Sequence, residues 1–207
     1  MTENTLSPDE ALATLLDGNH RFVGGEREHP HQDADRRAAL APAQHPFAVL
    51  FGCSDSRLAA EIIFDQGLGD LFVVRTAGHV LGPEVLGTIE YGVEVLGAPL
   101  IAVLGHDSCG AVAAAQQSVR DGSRPSGFVR DVVERVMLSV LAAPDGAHDA
   151  ESAIGQHVRH TVELLLDRSA TIAKRVADGS CGIAGMYYRL EEGSARVIAS
   201  EGLKTGS

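Results

Sequence analysis

Residues 47–57 read FAVLFGCSDSR, and residues 100–110 read LIAVLGHDSCG. Each opens on an apolar run too short and too uniform for an amphipathic helix. A strand buried on both faces has that composition. Each run ends at a glycine and gives way at once to chemistry-bearing residues. A third run, 71–75 (LFVVR), shares the pattern. Helical spacing occupies the intervals at 59–64, 85–96 and 110–119. It continues at 128–141 and 154–176, with a break expected near Ser169. Strands alternating with helices predict a parallel sheet covered on both faces. Further strands are expected at 181–190 and 195–199, joined through Glu191-Glu192-Gly193-Ser194, which suits a hairpin turn. The fold class expected is therefore α/β: a mostly parallel central β-sheet with an antiparallel edge strand, flanked by helices.

Upstream, Ser7-Pro8-Asp9-Glu10 combines a capping serine, a first-turn proline and a glutamate that can reach back. It predicts a helix to about Phe22, ended by Gly24-Gly25, and a short helix follows near 36–40. The chain reads as one domain over residues 1–207, with a helical arm and connection at 1–45 and an α/β core at 46–200. Its 207 residues and 44% hydrophobic content suffice for one core. No apolar run is long enough to span a bilayer. The polar start, Met1 to Asp9, lacks the pattern of a signal peptide. A cytoplasmic protein without a membrane partner is expected. The formal net charge of −11 and scattered basic residues argue against a nucleic-acid partner.

Three cysteines, Cys53, Cys109 and Cys181, do not make a disulfide framework. Two of them lie in the opening segments. If the first and third strands are parallel, Cys53-Ser54-Asp55-Ser56-Arg57 and His106-Asp107-Ser108-Cys109-Gly110 meet at the carboxyl edge of one sheet, where open α/β sheets bind ligands. Two thiolates and an imidazole suit zinc, and three protein ligands leave a fourth position open, as in catalytic sites. Either cysteine alone reads more simply as a small buried hydrophobe; the joint constellation favours the metal. Asp55 could take the fourth position in a closed form or accept a hydrogen bond from metal-bound water, with Arg57 holding it off the metal. Taken by spacing alone, Asp55 would be an ordinary turn residue. Cys181 reads as a buried strand residue. His157 and His160, without acidic or cysteine partners at metal spacing, read as a surface face.

The pair Cys-Ser-Asp-Ser-Arg and Gly-His-x-x-Cys-Gly resembles the signature of the β-carbonic anhydrases. The resemblance extends over residues 11–198 and includes FVVRTAG (72–78) and IEYGV (89–93). It implies zinc, one ion per chain, on Cys53, His106 and Cys109, with Asp55 and Arg57 as the catalytic pair. It further implies substrate contacts from Gln44, Phe72, Tyr91 and the backbone N–H of Gly110, although Phe72 and Tyr91 suit the core equally well. The implied reaction is reversible hydration of carbon dioxide to bicarbonate and a proton, by attack of zinc-bound hydroxide. The implied partner is a second copy of the chain, as a dimer or tetramer, with pockets at the interface and the N-terminal helix across the partner. Leu12, Leu15, Leu16 and Phe22 offer that helix an apolar face. A carbonyl sulfide or carbon disulfide hydrolase on the same scaffold, and a non-catalytic zinc-binding module, are the alternatives.

Overall fold

The computed structural model describes residues 6–204. Met1–Thr5, on which part of the signal-peptide reading rests, and the last three residues lie outside them. Five strands form one sheet: β1 (Ala48–Cys53), β2 (Leu71–Thr76), β3 (Leu100–His106), β4 (Gly182–Tyr188) and β5 (Ala195–Glu201). Their order is β2-β1-β3-β4-β5. All pairings are parallel except β4 with β5, which are antiparallel as the hairpin signal predicts.

The uniform apolarity of the central strands has a simple cause. Side chains alternate across a strand, so a strand covered on both sides must be apolar at every position. Along β1, Ala48 and Leu50 enter one core layer, and Val49 and Phe51 enter the other. Helices α1 (Pro8–Gly24), α3 (Ala60–Ile63), α5 (Gly110–Asp121) and α6 (Val129–Ala142) contribute to the first layer. Helices α4 (Pro83–Glu90) and α8 (Ala170–Ala177) contribute to the second. Helix α7 (Ala150–Arg168) reaches both, giving Ala153 and Ile154 to the first and Val158, Val162 and Leu165 to the second. The remaining helix, α2 (Ala34–Leu40), buries none of its residues.

Helix α1 begins as its sequence dictates. Ser7 accepts from the Glu10 N–H, Glu10 answers on the Ser7 N–H at 2.8 Å, and Gly25 closes the helix in the left-handed conformation. Its inner face lies on its own subunit. Ala11 and Leu15 are buried, and Asn19 stitches the helix to the Ile63 and Gly193 carbonyls and the Ala195 N–H. Leu12, Leu16 and Phe22 pack partly buried against the same core. Segment 85–96 is helical from Pro83, and its last turn, Tyr91–Val95, widens to π geometry. The break at Ser169 separates α7 from α8, with Ser169 capping the second. Cys181 is fully buried immediately before β4.

One reading is corrected. His157 is 5% exposed and hydrogen-bonded, and His160 is half-buried beside it. His157 falls on the same stripe of α7 as Ala153, Ile154, Val158, Thr161 and Leu165, all buried. Helical period, rather than the polarity of the side chain, decides its face.

Candidate metal centre

Strands β1 and β3 are adjacent and parallel, with Gly52 opposite Leu104. Their carboxyl ends therefore deliver Cys53 and His106 side by side. After His106 the chain turns through Asp107 and Ser108, the latter at φ 54°, and Cys109 becomes the N-cap of α5. The Cys53 and Cys109 sulfurs and a His106 ring nitrogen all lie within 4.8 Å of one another, and all three residues are buried.

The histidine is oriented for a ligand. Its Nδ1 meets the Asp107 carbonyl oxygen at 2.7 Å, and that oxygen only accepts, so Nδ1 carries the proton. In the neutral ring the lone pair then sits on Nε2, which is buried with no partner. A buried polar atom without a partner is costly, and a cation between the two sulfurs would satisfy it. The thiols are prepared in the same way. The partnership with Cys109 pulls the Cys53 thiol below its usual value against its burial. The partnership with Cys53, and then burial, pushes Cys109 up. A bound cation would compensate the charge of both thiolates. Two thiolates and one imidazole are a donor set that fits zinc.

Beside this group, Arg57 grips Asp55 in a fork, Nε to Oδ1 at 2.8 Å and Nη2 to Oδ2 at 2.6 Å, and its backbone N–H adds a third bond at 3.0 Å. The guanidinium holds the Asp55 carboxyl far below the usual carboxylate range. Arg57 Nη2 also reaches the Ser108 carbonyl at 3.3 Å, joining the two motif loops. Asp55 is not among the clustered ligand atoms. Gly110 opens α5 with an exposed backbone at the helix N-terminus, where N–H groups lack intrahelical partners.

Gln44, Phe72 and Tyr91 lie elsewhere in the subunit. Phe72 pairs with Val49, four residues before Thr76, the partner of Cys53. At strand rise that is about 13 Å from the carboxyl edge. Its ring meets that of Tyr91 at 6.0 Å, and Tyr91 is 46% exposed. Gln44 is exposed and lines an open groove with Leu40, Pro42, Leu68 and Gly69, before the amino ends of β1 and β2. One chain thus gathers Cys53, His106 and Cys109 with Asp55, Arg57 and Gly110, and leaves the other three residues apart.

Sequence reasoning missed two supports of the site. Arg75 donates from Nε to the Cys53 carbonyl at 2.9 Å and from Nη2 to the Asp55 carbonyl at 2.5 Å, bracing the first loop from β2. The Gly78 N–H donates to Cys53 Sγ at 3.3 Å. The register of β1 against β2 brings both to the loop, and no local spacing carries that information.

The fold and the site define an α/β protein with a Cys-His-Cys group suited to a metal ion at the carboxyl edge of its sheet. The carbonic anhydrase family model matches residues 48–195. The chain is 56% identical to carbonic anhydrase 2 of Mycobacterium tuberculosis over 190 residues, covering 91% of this chain and 92% of that one. It is 55% identical to a carbonic anhydrase of Mycolicibacterium smegmatis over 188 residues, 90% and 91% of the two chains. A tetrameric β-carbonic anhydrase of Sordaria macrospora superposes with a TM-score of 0.71 at 23% identity, over 91% of this chain and 98% of that one, which shows the shared fold. The chain belongs to the carbonic anhydrase family.

Proposed function

We propose that this protein catalyses the reversible hydration of carbon dioxide to bicarbonate and a proton, with one zinc ion held by Cys53, His106 and Cys109. The observation that carries this reading is the buried Cys-His-Cys cluster with its unpartnered His106 Nε2, set beside a carboxylate that Arg57 keeps ionised. Bound there, zinc would supply the Lewis acidity that makes water a nucleophile near neutral pH.

The chain's own groups do the rest. Asp55, ionised and fixed by Arg57, accepts a hydrogen bond from the nucleophile and aims its lone pair. Arg57 takes both Asp55 oxygens, so in this conformation Cys53, His106 and Cys109 are the residues that would hold the metal. The Gly110 N–H, at the positive end of α5, faces the oxygen on which charge develops. Gln44, Phe72 and Tyr91 of a second copy complete the pocket. The exposure of Gln44 and Tyr91 and the distance of Phe72 from the cluster in one chain support that arrangement. So does family membership, the tetramer of the Sordaria relative being one such assembly. The functional unit is then a dimer or tetramer of one-domain chains, with the helical arm at 1–45 on the core at 46–200. Among the described residues no helix is long and apolar enough to cross a membrane, and we read the protein as cytoplasmic.

Stopped-flow hydration of carbon dioxide, with zinc measured on the same sample, tests the proposal. About one zinc per chain with fast hydration supports it; a zinc-loaded, folded protein inert toward carbon dioxide refutes it.

A further inference from the structure

From half-buried His160 a chain of hydrogen bonds runs to Cys53 of the Cys-His-Cys group. His160 meets Ser139 Oγ through Nδ1 at 3.0 Å. Ser139, fully buried, meets His157 Nδ1 at 2.9 Å. His157 Nε2 meets the Gly78 carbonyl oxygen at 2.7 Å, and the Gly78 N–H reaches the Cys53 sulfur.

Donor chemistry gives this chain one direction. The Gly78 oxygen only accepts, so His157 carries its proton on Nε2. Burial pushes the His157 imidazole down to about 4 and keeps it neutral. Its Nδ1 therefore takes the single Ser139 hydroxyl hydrogen. Ser139, having given that hydrogen, accepts from His160 Nδ1–H. Every donor points inward.

The end of the chain is a turn that needs holding. Gly78 sits at φ 61° and His79 at φ 39°, two successive left-handed residues. The first must be glycine, because a Cβ there would stand 2.7 Å from the Ala111 Cβ of α5. His79, buried and with neither ring nitrogen hydrogen-bonded, packs against His157 with ring centroids 4.2 Å apart and planes tilted by 40°. His157 thus grips the turn twice, through the Gly78 carbonyl and through the His79 ring.

We propose that His157 is a positioning residue for the metal centre: by fixing the Gly78–His79 turn, it aims the Gly78 N–H at the Cys53 sulfur. That bond sets the sulfur in place and draws charge from it, which tunes how strongly the thiolate donates to a metal. Partners of this kind commonly change metal affinity 10–100-fold, as an order of magnitude. The inference rests on reading Cys53 as a ligand.

The test uses His157→Phe, similar in volume and without the donor, and His157→Gln, which keeps an N–H at about the reach of Nε2. In the zinc-free full-length protein, Gly78 amide hydrogen exchange should quicken roughly tenfold or more in the Phe variant and stay within about threefold of wild type in the Gln variant. Zinc affinity by chelator competition should weaken roughly 10–100-fold in the Phe variant and recover with Gln. The thiolate-to-cobalt charge-transfer band of the cobalt-loaded protein should shift in the Phe variant alone. If His157→Phe does not fold, Ser139→Ala keeps the ring and frees its tautomer; Gly78 exchange faster by about threefold supports the role, and unchanged exchange overturns it. A folded Phe variant with wild-type exchange, affinity and band also overturns it. If the wild type binds no zinc, the proposed function falls, while Gly78 exchange still decides the role of His157.

Discussion

The carboxyl edge of β1 and β3 and the outer face around Phe72 and Tyr91 belong to the same sheet and behave differently. At the edge, residues more than fifty positions apart arrive in contact because two adjacent parallel strands end there. They are held by specific bonds: Cys53 by Gly78 and the Arg75 brace, Asp55 by Arg57, His106 by the Asp107 carbonyl. On the outer face, Phe72 lies on an edge strand with β1 on one side only, and Tyr91 projects from the π turn with almost half its surface exposed. The first region is finished within one chain. The second is a surface that, on the proposed function, is finished by another copy. The lesson is that strand direction assembles a site inside a subunit, whereas residues placed away from the strand ends are left out of it.

The most direct attack on this contrast is to remove a ligand. Cys53→Ser and His106→Ala should each leave the protein with little zinc and cut hydration by roughly 10³-fold or more, since the nucleophile depends on the metal. Metal analysis with stopped-flow assay reads both. Full activity in either variant would break the picture of a self-contained edge.

Asp55→Asn should separate holding the metal from using it. Zinc content should stay near one per chain while hydration falls roughly 10²-fold, the scale for a residue that orients through hydrogen bonds. Loss of zinc with the activity would instead place Asp55 among the ligands.

The edge should also be the acid-sensitive region. His157 is held neutral to about 4, and full burial pushes His79 well down too, whereas an unfolded histidine takes its proton near 6.5. Between those values the unfolded chain binds more protons than the folded one, so stability falls as pH falls. Above 6.5 this contribution is constant. His157 alone accounts for about 3 kcal/mol across the window. Urea unfolding of wild type and His157→Gln at about pH 7 and about pH 5 should show the wild type losing the more stability, by about 2 kcal/mol. Equal losses would mean that the buried histidine is not what acid attacks.

The smallest effect belongs to the outer face. Tyr91→Ala should leave zinc bound and lower kcat/KM by roughly tenfold, the cost of one well-placed aromatic contact in a pocket. Sedimentation of the same variant should show a larger monomer fraction. A purely monomeric wild type with full activity would remove the second copy from the site.

Much of this molecule is legible in the order of its residues. The apolar runs mark their strands to within a residue or two, because a strand buried on both faces has no polar position to disguise it. The turn at Glu191–Ser194 marks the antiparallel edge. The Cys-His-Cys group is legible because it lies at the ends of two such strands. His157 was misread because isolated polarity outweighed a helical stripe that was in the sequence throughout. The hand of Gly78 on Cys53 and the Arg75 brace left no local mark at all.

The sequence by itself determined the α/β alternation, the strand ends and the identity of the candidate ligands, since these follow from side-chain period and from thiol and imidazole chemistry. Only the tertiary structure decided which strands are neighbours and in what register. From that came the burial of His157 against the Gly78–His79 turn and the Arg75 brace on the Cys53 and Asp55 carbonyls. Those are contacts between segments far apart in the chain, and their energies are settled by packing that no local stretch encodes.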